Sequence, residues 1–75
     1  MSRPVKRSFS IKGHRTSISL EAEFWEALKV AAQEDGLALA ALIGQIDRER
    51  GMSGLSSAVR IWLLRRYKTR PPGTA

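Results

Sequence analysis

The sequence contains no cysteine and a single histidine. It therefore offers no disulfide, no thiolate metal centre and no ordinary zinc site, and we expect neither a metal nor a cofactor. No run of 18 apolar residues is present and the N-terminus lacks a signal-like apolar stretch, so we expect a cytoplasmic protein without a membrane partner. A core built from 75 residues is small, which makes association with a second copy the expected means of stabilisation.

Catalytic residues are also scarce, and we expect a non-enzymatic protein. His14 is the only candidate general base, and a turn histidine bonded to backbone or to a phosphate fits its surroundings better than a catalytic one. Gly51 and Gly54 are not followed by Lys-Ser or Lys-Thr, so the chain has no phosphate-binding loop of the nucleotide-hydrolase type.

Acidic residues are missing from both ends of the chain. Residues 1–20 carry a net charge of +5, residues 21–50 carry −4 and residues 51–75 carry +5. A basic N-terminal segment beside an acidic helix indicates a surface that attracts phosphates, which favours nucleic acid as a partner.

The pattern predicts a mainly α fold with one short N-terminal strand, in the order β-α-α-α. Residues 1–7 are predicted to be a flexible basic arm, residues 8–68 the folded domain and residues 69–75 a disordered tail. Thr16, Ile18 and Leu20 alternate with polar residues, as in a strand with one apolar face. Residues 8–11 alternate too, and two interpretations stay open: a hairpin with Gly13-His14 as its turn, or a flexible arm that leads into a single strand.

Three helices are predicted after the strand. The first begins near Glu21 and ends at Gly36, the second spans about residues 39–50, and the third spans about residues 55–68 with Ser53 or Ser56 as its cap. The apolar face of the strand and the apolar stripes of these helices give the predicted core of a two-fold dimer, in which the strands of two chains pair. Its members are Ile18, Leu20, Phe24, Leu28, Leu42, Ile43, Ile46 and Trp62.

Two segments, “KRSFSIKGHRTSISLEAEFWEAL” and “LSSAVRIWLL”, carry a family resemblance. They resemble the ribbon–helix–helix family of DNA-binding proteins, to which the Arc repressor belongs, and within it a small bacterial branch with a GHRTS, LE, FW and LSSA pattern. The resemblance implies an obligate homodimer whose strands form an antiparallel ribbon that enters the major groove of double-stranded DNA. It also implies a transcriptional regulator such as a repressor, which can bind DNA as dimers of dimers.

The resemblance assigns DNA-contacting positions in this sequence. Arg15, Ser17 and Ser19 fall where the family reads bases, and their side chains suit that role. The start of the second helix falls where the family holds a phosphate, although Ala38 replaces the usual hydroxyl cap. The predicted phosphate contacts, including the basic arm, are Arg3, Lys6, Arg7, Lys12, Leu39 and Ala40.

The third helix and the small size of the chain are also compatible with other functions. The third helix mixes Trp, Leu and cations as membrane-surface helices do, but burial in a core explains its apolar residues better. Its Arg60, Arg65 and Arg66 either contact phosphates or solvate the rim of a dimer. An antitoxin-like module, which binds a protein partner and DNA only weakly, is the main alternative function.

Overall fold

The computed structural model describes residues 3–52 and 54–69. Two strands precede three helices: β1 (Val5–Ile11), β2 (His14–Leu20), α1 (Ala22–Glu34), α2 (Leu39–Glu49) and α3 (Leu55–Lys68). The three helices lie where the sequence predicts them. The predicted order β-α-α-α is wrong in one respect, because a first strand pairs with the second within the same chain and gives β-β-α-α-α. Thr69 ends α3, and the remainder of the predicted tail lies outside the described residues.

The two strands form a tight antiparallel hairpin. Its two-residue turn is Lys12-Gly13, and both residues have positive φ, 52° and 79°, as a type I′ turn requires. Ile11 therefore pairs with His14, and Phe9 pairs with Thr16. The alternative turn at Gly13-His14 is wrong by one residue at each end, which shifts the register by two and leaves every side chain on its predicted face.

The hairpin also corrects the extent of the N-terminal arm. β1 begins at Val5, so Val5, Lys6 and Arg7 belong to the sheet and not to a flexible arm. Lys6 pairs with Ser19 and Arg7 pairs with Ile18. Because these three residues belong to a strand, each side chain points to a defined side of the sheet. A flexible arm would not fix these directions.

One face of the hairpin packs against the three helices and forms a single core. Most of its members come from the apolar positions that alternate along the strands and recur with helical spacing. The buried residues are Ile11, Ile18, Leu20, Trp25, Leu28, Ala31, Ala32, Leu42, Ile43, Ile46, Ala58, Val59 and Leu63. No polar or charged residue is buried among the described residues, so the core has no internal site for chemistry.

Trp25 fastens the first strand to α1. Its side chain is 3% exposed, its ring lies 5.9 Å from that of Phe9, and its indole N–H donates to the backbone oxygen of Val5 at 2.9 Å. A buried indole N–H needs such an acceptor, because leaving it unpaired is costly. The contact ties the first residue of β1 to α1.

Replacing Trp25 by phenylalanine tests this attachment. The variant keeps an apolar ring but loses the N–H donor, and we expect the free energy of unfolding to fall by about 1 kcal/mol or more. Urea unfolding followed by circular dichroism measures the change, and hydrogen exchange at β1 locates it. Trp62→Phe is the matched control, because the half-buried Trp62 donates no indole hydrogen bond to any described residue. An equal loss in both variants would contradict a specific role for the bond to Val5.

The helix boundaries follow from local backbone chemistry. Gly36 adopts a positive φ of 67° just after α1, where the N–H of Leu37 donates back to Ala32 and closes the helix end. Gly54, in extended conformation, is the N-cap of α3 and supplies no side-chain bond. The predicted hydroxyl cap is therefore wrong for Ser56, which lies inside α3, while Ser53 lies outside the described residues.

The C-terminal half of α3 is joined to the end of α1 by ion pairs between one arginine and two carboxylates. Arg66 donates to both carboxylate oxygens of Asp35, at 3.0 and 2.9 Å, and to Glu34 at 3.0 Å. The hydrogen bond from Arg66 lowers the pKa of Asp35 below its ordinary value of 3.8. This contact therefore stabilises the fold at neutral pH and is lost as the pH falls through the lowered pKa. The guanidinium of Arg66 is therefore paired with carboxylates of its own chain.

Candidate nucleic-acid interface

The outer face of the hairpin, which points away from the helices, is entirely polar. We call these side chains the outer face; they are Lys6, Ser8, Ser10, Arg15, Ser17 and Ser19. They pair across the strands as Lys6 with Ser19, Ser8 with Ser17 and Ser10 with Arg15. All are exposed except Ser19, which is half-buried. The outer face carries two cations and no acid, so it presents hydrogen-bonding groups with a positive balance.

The predicted base-reading residues all lie on the outer face. Arg15 and Ser17 are exposed, whereas the backbone of Ser19 is engaged by α3. The structure adds Ser8 and Ser10 of β1 beside them, and sequence reasoning missed these two. The alternation of residues 8–11 is the signal that could have assigned them to the same face.

The predicted phosphate contacts divide between two faces. Lys6 lies on the outer face, Lys12 lies exposed in the turn, and Arg3 lies exposed ahead of β1. Arg7 is on the opposite side of the strand, where its guanidinium lies 5.4 Å from the ring centroid of Trp25. Lys6 and Arg7, adjacent in sequence, therefore belong to different surfaces.

The start of α2 is close to the hairpin turn. Ala40 and Ala41 line a cleft with Ser10 and Lys12. Ala38 is the N-cap and makes no side-chain bond, as its methyl group requires. The backbone N–H groups at the start of a helix have no carbonyl acceptor within the helix, so they are free to donate to another group. The cleft therefore combines backbone N–H donors with the side chain of a lysine. Of the two residues of this helix that are predicted to contact phosphate, Ala40 lines the cleft and Leu39 is half-buried beside it.

The residues predicted as a dimer core are largely the core of one chain. Phe24 and Trp62 are half-buried. The other six are buried within a single protomer: Ile18, Leu20, Leu28, Leu42, Ile43 and Ile46. Their burial does not depend on a partner, so any dimer contact must use other apolar surface.

The outer edge of β2, away from β1, is only partly covered. The N–H of Ser19 donates to the hydroxyl oxygen of Ser56 at 3.1 Å, and the carbonyl of Ser19 accepts from Arg60 at 3.1 Å. Because backbone groups point to alternate sides along a strand, those of Arg15 and Ser17 point the same way as those of Ser19. No described residue bonds these outward groups of Arg15 and Ser17, so this edge can accept another strand.

An apolar groove adjoins this edge between α1 and α3. Its exposed members on α3 are Ile61, Leu64 and Tyr67, which are 43%, 63% and 39% exposed. Phe24 lines the opposite wall, and Arg60, whose guanidinium lies 5.8 Å from the Phe24 ring, joins the groove to the edge at Ser19. The open strand edge and the groove therefore form one continuous surface.

Other kinds of site find no support in residues 3–52 and 54–69. They contain no cluster of three or more potential metal ligands. His14 is exposed at the start of β2, where a cleft groups it with Lys12, Arg15 and Arg50. None of the helices that the structure describes is both long enough and apolar enough to cross a membrane.

Comparison with known proteins supports the architecture. The family model described as a ribbon–helix–helix domain matches residues 4–67, which is most of the chain. Neither the curated proteins nor the solved structures gave a match. The matched range begins one residue before β1 and ends within α3, so both the hairpin and the third helix fall inside the domain. The family is a non-enzymatic DNA-binding one, whose members are generally transcription regulators or antitoxins. With its paired strands followed by packed helices, the chain belongs to the ribbon–helix–helix family.

Proposed function

We propose that this protein is a homodimeric transcriptional regulator that binds double-stranded DNA in a sequence-specific manner. The observation that carries the proposal is the outer face: six polar side chains, two of them cationic and none acidic, on an exposed sheet surface. Arg15 can donate two hydrogen bonds to the O6 and N7 atoms of guanine in the major groove. Ser17 and Ser19 can donate or accept at several base edges, which gives each chain a short set of readers.

A second copy of the chain is the occupant proposed for the edge of β2. Pairing there would satisfy the outward backbone groups of Arg15 and Ser17, and it would bring the adjoining apolar groove toward the partner. The outer edge of β1 is a poorer choice, because it bears Lys6, a residue type that discourages strand pairing, and its flanking cleft contains Lys12 and Arg48. The dimer would contain a four-stranded sheet in the order β1, β2, β2, β1.

Such a sheet fits DNA if the inner strands read bases and the outer strands face the phosphates. Neighbouring strands lie about 4.8 Å apart, so the two copies of β2 fit within a major groove about 12 Å wide. The two copies of β1 would be about 14 Å apart, at the groove margins where the phosphates lie. This placement assigns Arg15 and Ser17 to bases, and Lys6 and Ser8 to the backbone.

The phosphate assignments follow from the same placement. Lys6, Lys12 and Arg3 lie on or beside the outer strands, and the first turn of α2 at Leu39 and Ala40 lies near Lys12. Free backbone N–H groups at a helix start are favourable for a phosphate. We therefore propose that this cleft holds a phosphate despite the missing hydroxyl at Ala38. Arg7 is withdrawn from the proposed set because its side chain lies on the helix side of the hairpin.

Lys6 and Arg7 form a matched pair for testing the orientation of the hairpin. Lys6→Ala is expected to weaken binding to every duplex and to reduce the slope of log K against log salt by about two units, since the dimer loses one phosphate contact from each chain. Arg7→Ala removes the same charge from the opposite face and is expected to leave the slope unchanged. Fluorescence anisotropy at several salt concentrations measures both. A larger effect from Arg7 than from Lys6 would contradict the proposed DNA-facing side.

Binding of a labelled duplex of random sequence at low salt tests the function itself. The proposal expects binding that weakens steeply as salt rises, together with a solution mass of a dimer by light scattering. The antitoxin-like alternative has one observation in its favour, the exposed apolar groove between α1 and α3. A monomer that binds no duplex at low salt would overturn the proposal and favour a protein partner in that groove.

A further inference from the structure

We propose that Ser56 and Arg60 of α3 cap the outer edge of β2 at Ser19 and thereby fix the register in which two chains pair. The two-fold axis then passes beside Thr16, between the two copies of β2. This inference rests on the homodimer of the proposed function and adds to it the register of strand pairing and a role for the third helix.

The cap uses both outward backbone groups of Ser19. Its N–H donates to the hydroxyl oxygen of Ser56, and its carbonyl oxygen accepts from the guanidinium of Arg60, each at 3.1 Å. Arg60 is itself fixed by two bonds to the carboxylate of Glu21, both at 3.3 Å, and by its position over the ring of Phe24. A neighbouring strand cannot form ladder bonds with Ser19 while this arrangement holds.

Three outward positions exist along the edge, and the cap leaves two. In an antiparallel pair of identical strands, the outward backbone groups of one strand bond only to the outward backbone groups of the other. The two-fold axis must therefore pass beside one of the outward residues or beside a residue that lies between two of them. An axis at Thr16 pairs Arg15 with Ser17 of the partner subunit, and Ser17 with Arg15 of the partner subunit, which gives four backbone bonds. This is the largest number that the uncapped part of the edge allows.

The neighbouring registers are poorer. An axis at Ser17 would pair the two copies of Ser17, but its next pairs would join Arg15 to the capped Ser19, so only two bonds form. An axis at Arg15 would also form two bonds, and its next pairs would fall on Gly13 in the turn, where φ is 79°. The uncapped edge and the turn together select the axis at Thr16.

This register places the candidate readers in a defined pattern. Arg15 of each chain lies across from Ser17 of the other, so the centre of the sheet carries two Arg–Ser pairs related by the axis. Ser19 lies beyond the paired segment, beside the cap. The pattern assigns the central bases to Arg15 and Ser17.

Single-cysteine variants test the register directly, because the chain has no cysteine of its own. Two copies of Thr16→Cys would face each other in a non-hydrogen-bonded pair with Cα atoms about 4.5 Å apart, which a disulfide can span. Two copies of Ser17→Cys would be offset by two residues and lie about 8 Å apart, beyond disulfide reach. Under mild oxidation we expect a covalent dimer from Thr16→Cys and only background from Ser17→Cys and from Ser8→Cys on β1.

The possible results separate the register from the function. A stronger cross-link at Ser17→Cys overturns the axis at Thr16, and one at Ser8→Cys overturns pairing through β2, while the dimer stands in both cases. A light-scattering dimer in which Thr16→Cys gives no cross-link also overturns the register. A monomeric mass overturns the homodimer and, with it, this inference.

Removing the cap tests whether the cap sets the register of pairing. Ser56→Ala combined with Arg60→Ala frees the backbone groups of Ser19, and we expect the Ser17→Cys cross-link to rise above background relative to that of Thr16→Cys. Ser57→Ala, at an exposed neighbouring position, is the control and should leave the ratio unchanged. A circular dichroism spectrum confirms that the helices persist. An unchanged ratio in the folded double variant overturns the role of the cap.

Discussion

Replacing Arg15 by alanine is expected to weaken binding of the preferred duplex by about 1–3 kcal/mol for each chain of the dimer, because each chain loses one bidentate contact to a base. The loss should be larger for the preferred sequence than for a random duplex, since phosphate contacts contribute to both whereas base contacts contribute to one. Competition binding at fixed salt with the two duplexes measures the difference. Specificity, not merely affinity, is therefore the quantity that should fall.

Arg65→Ala is the control for Arg15→Ala. Arg65 is an exposed cation on α3, away from the outer face, and its replacement removes the same charge. We expect it to leave the ratio of preferred to random binding unchanged. If Arg15→Ala and Arg65→Ala reduce binding equally and without regard to sequence, Arg15 is not a base-reading residue.

Leu28→Ala is expected to give the largest loss of stability among the substitutions considered. Leu28 is 0% exposed at the centre of α1, where the hairpin and the helices meet. Deleting such a side chain removes buried apolar surface and leaves a cavity, which costs about 2–5 kcal/mol. That is a large part of the roughly 5–15 kcal/mol that stabilises an ordinary domain, so the variant is expected to lie near the limit of folding.

Val30→Ala controls for the change in helix propensity and in apolar content. Val30 lies two residues along the same helix and is 43% exposed, so its replacement should change the free energy of unfolding by about 0.5 kcal/mol or less. Urea unfolding at one fixed protein concentration compares the two, because the stability of a dimer depends on concentration. Similar midpoints for both variants would contradict the assignment of Leu28 to the core.

The helices could be predicted from the sequence because their signals are local. The apolar spacing around Leu28 and Ile43 indicates the buried faces, and Gly36 marks the end of α1 with a conformation that glycine adopts freely. These signals act within one or two turns of the chain. The fold that they imply is confirmed by the family match as well as by the structure.

The sequence does not decide between a hairpin and an arm, because the turn depends on a residue type that rarely adopts a positive φ. Lys12 adopts φ of 52°, a conformation uncommon for residues other than glycine, asparagine and aspartate. The sequence pattern instead favoured Gly13 as the first turn residue. The alternation of side chains still predicted the correct apolar face, because a two-residue shift preserves it.

The remaining features of the site depend on contacts between distant parts of the chain. Ser56 and Arg60 reach Ser19 across 37 and 41 residues, and no local pattern indicates such a cap. The indole N–H of Trp25 donates to the carbonyl oxygen of Val5, 20 residues earlier in the sequence. No local pattern indicates this contact, and without it the sequence reads as an arm and not as a strand. Arg7 then takes its face from that strand, and its charge alone does not indicate that its side chain lies beside Trp25.

Selection of bound duplexes from a random pool, at a salt concentration where binding is partial, shows whether a paired outer face reads DNA sequence. We expect enrichment of a sequence with two-fold symmetry, since two chains would present the same Arg15 and Ser17 to both halves of the site. We also expect Arg15→Ala to lose the enrichment and Arg7→Ala to keep it. Recovery of no enriched sequence, or of one without two-fold symmetry, would contradict the claim that a paired outer face reads DNA.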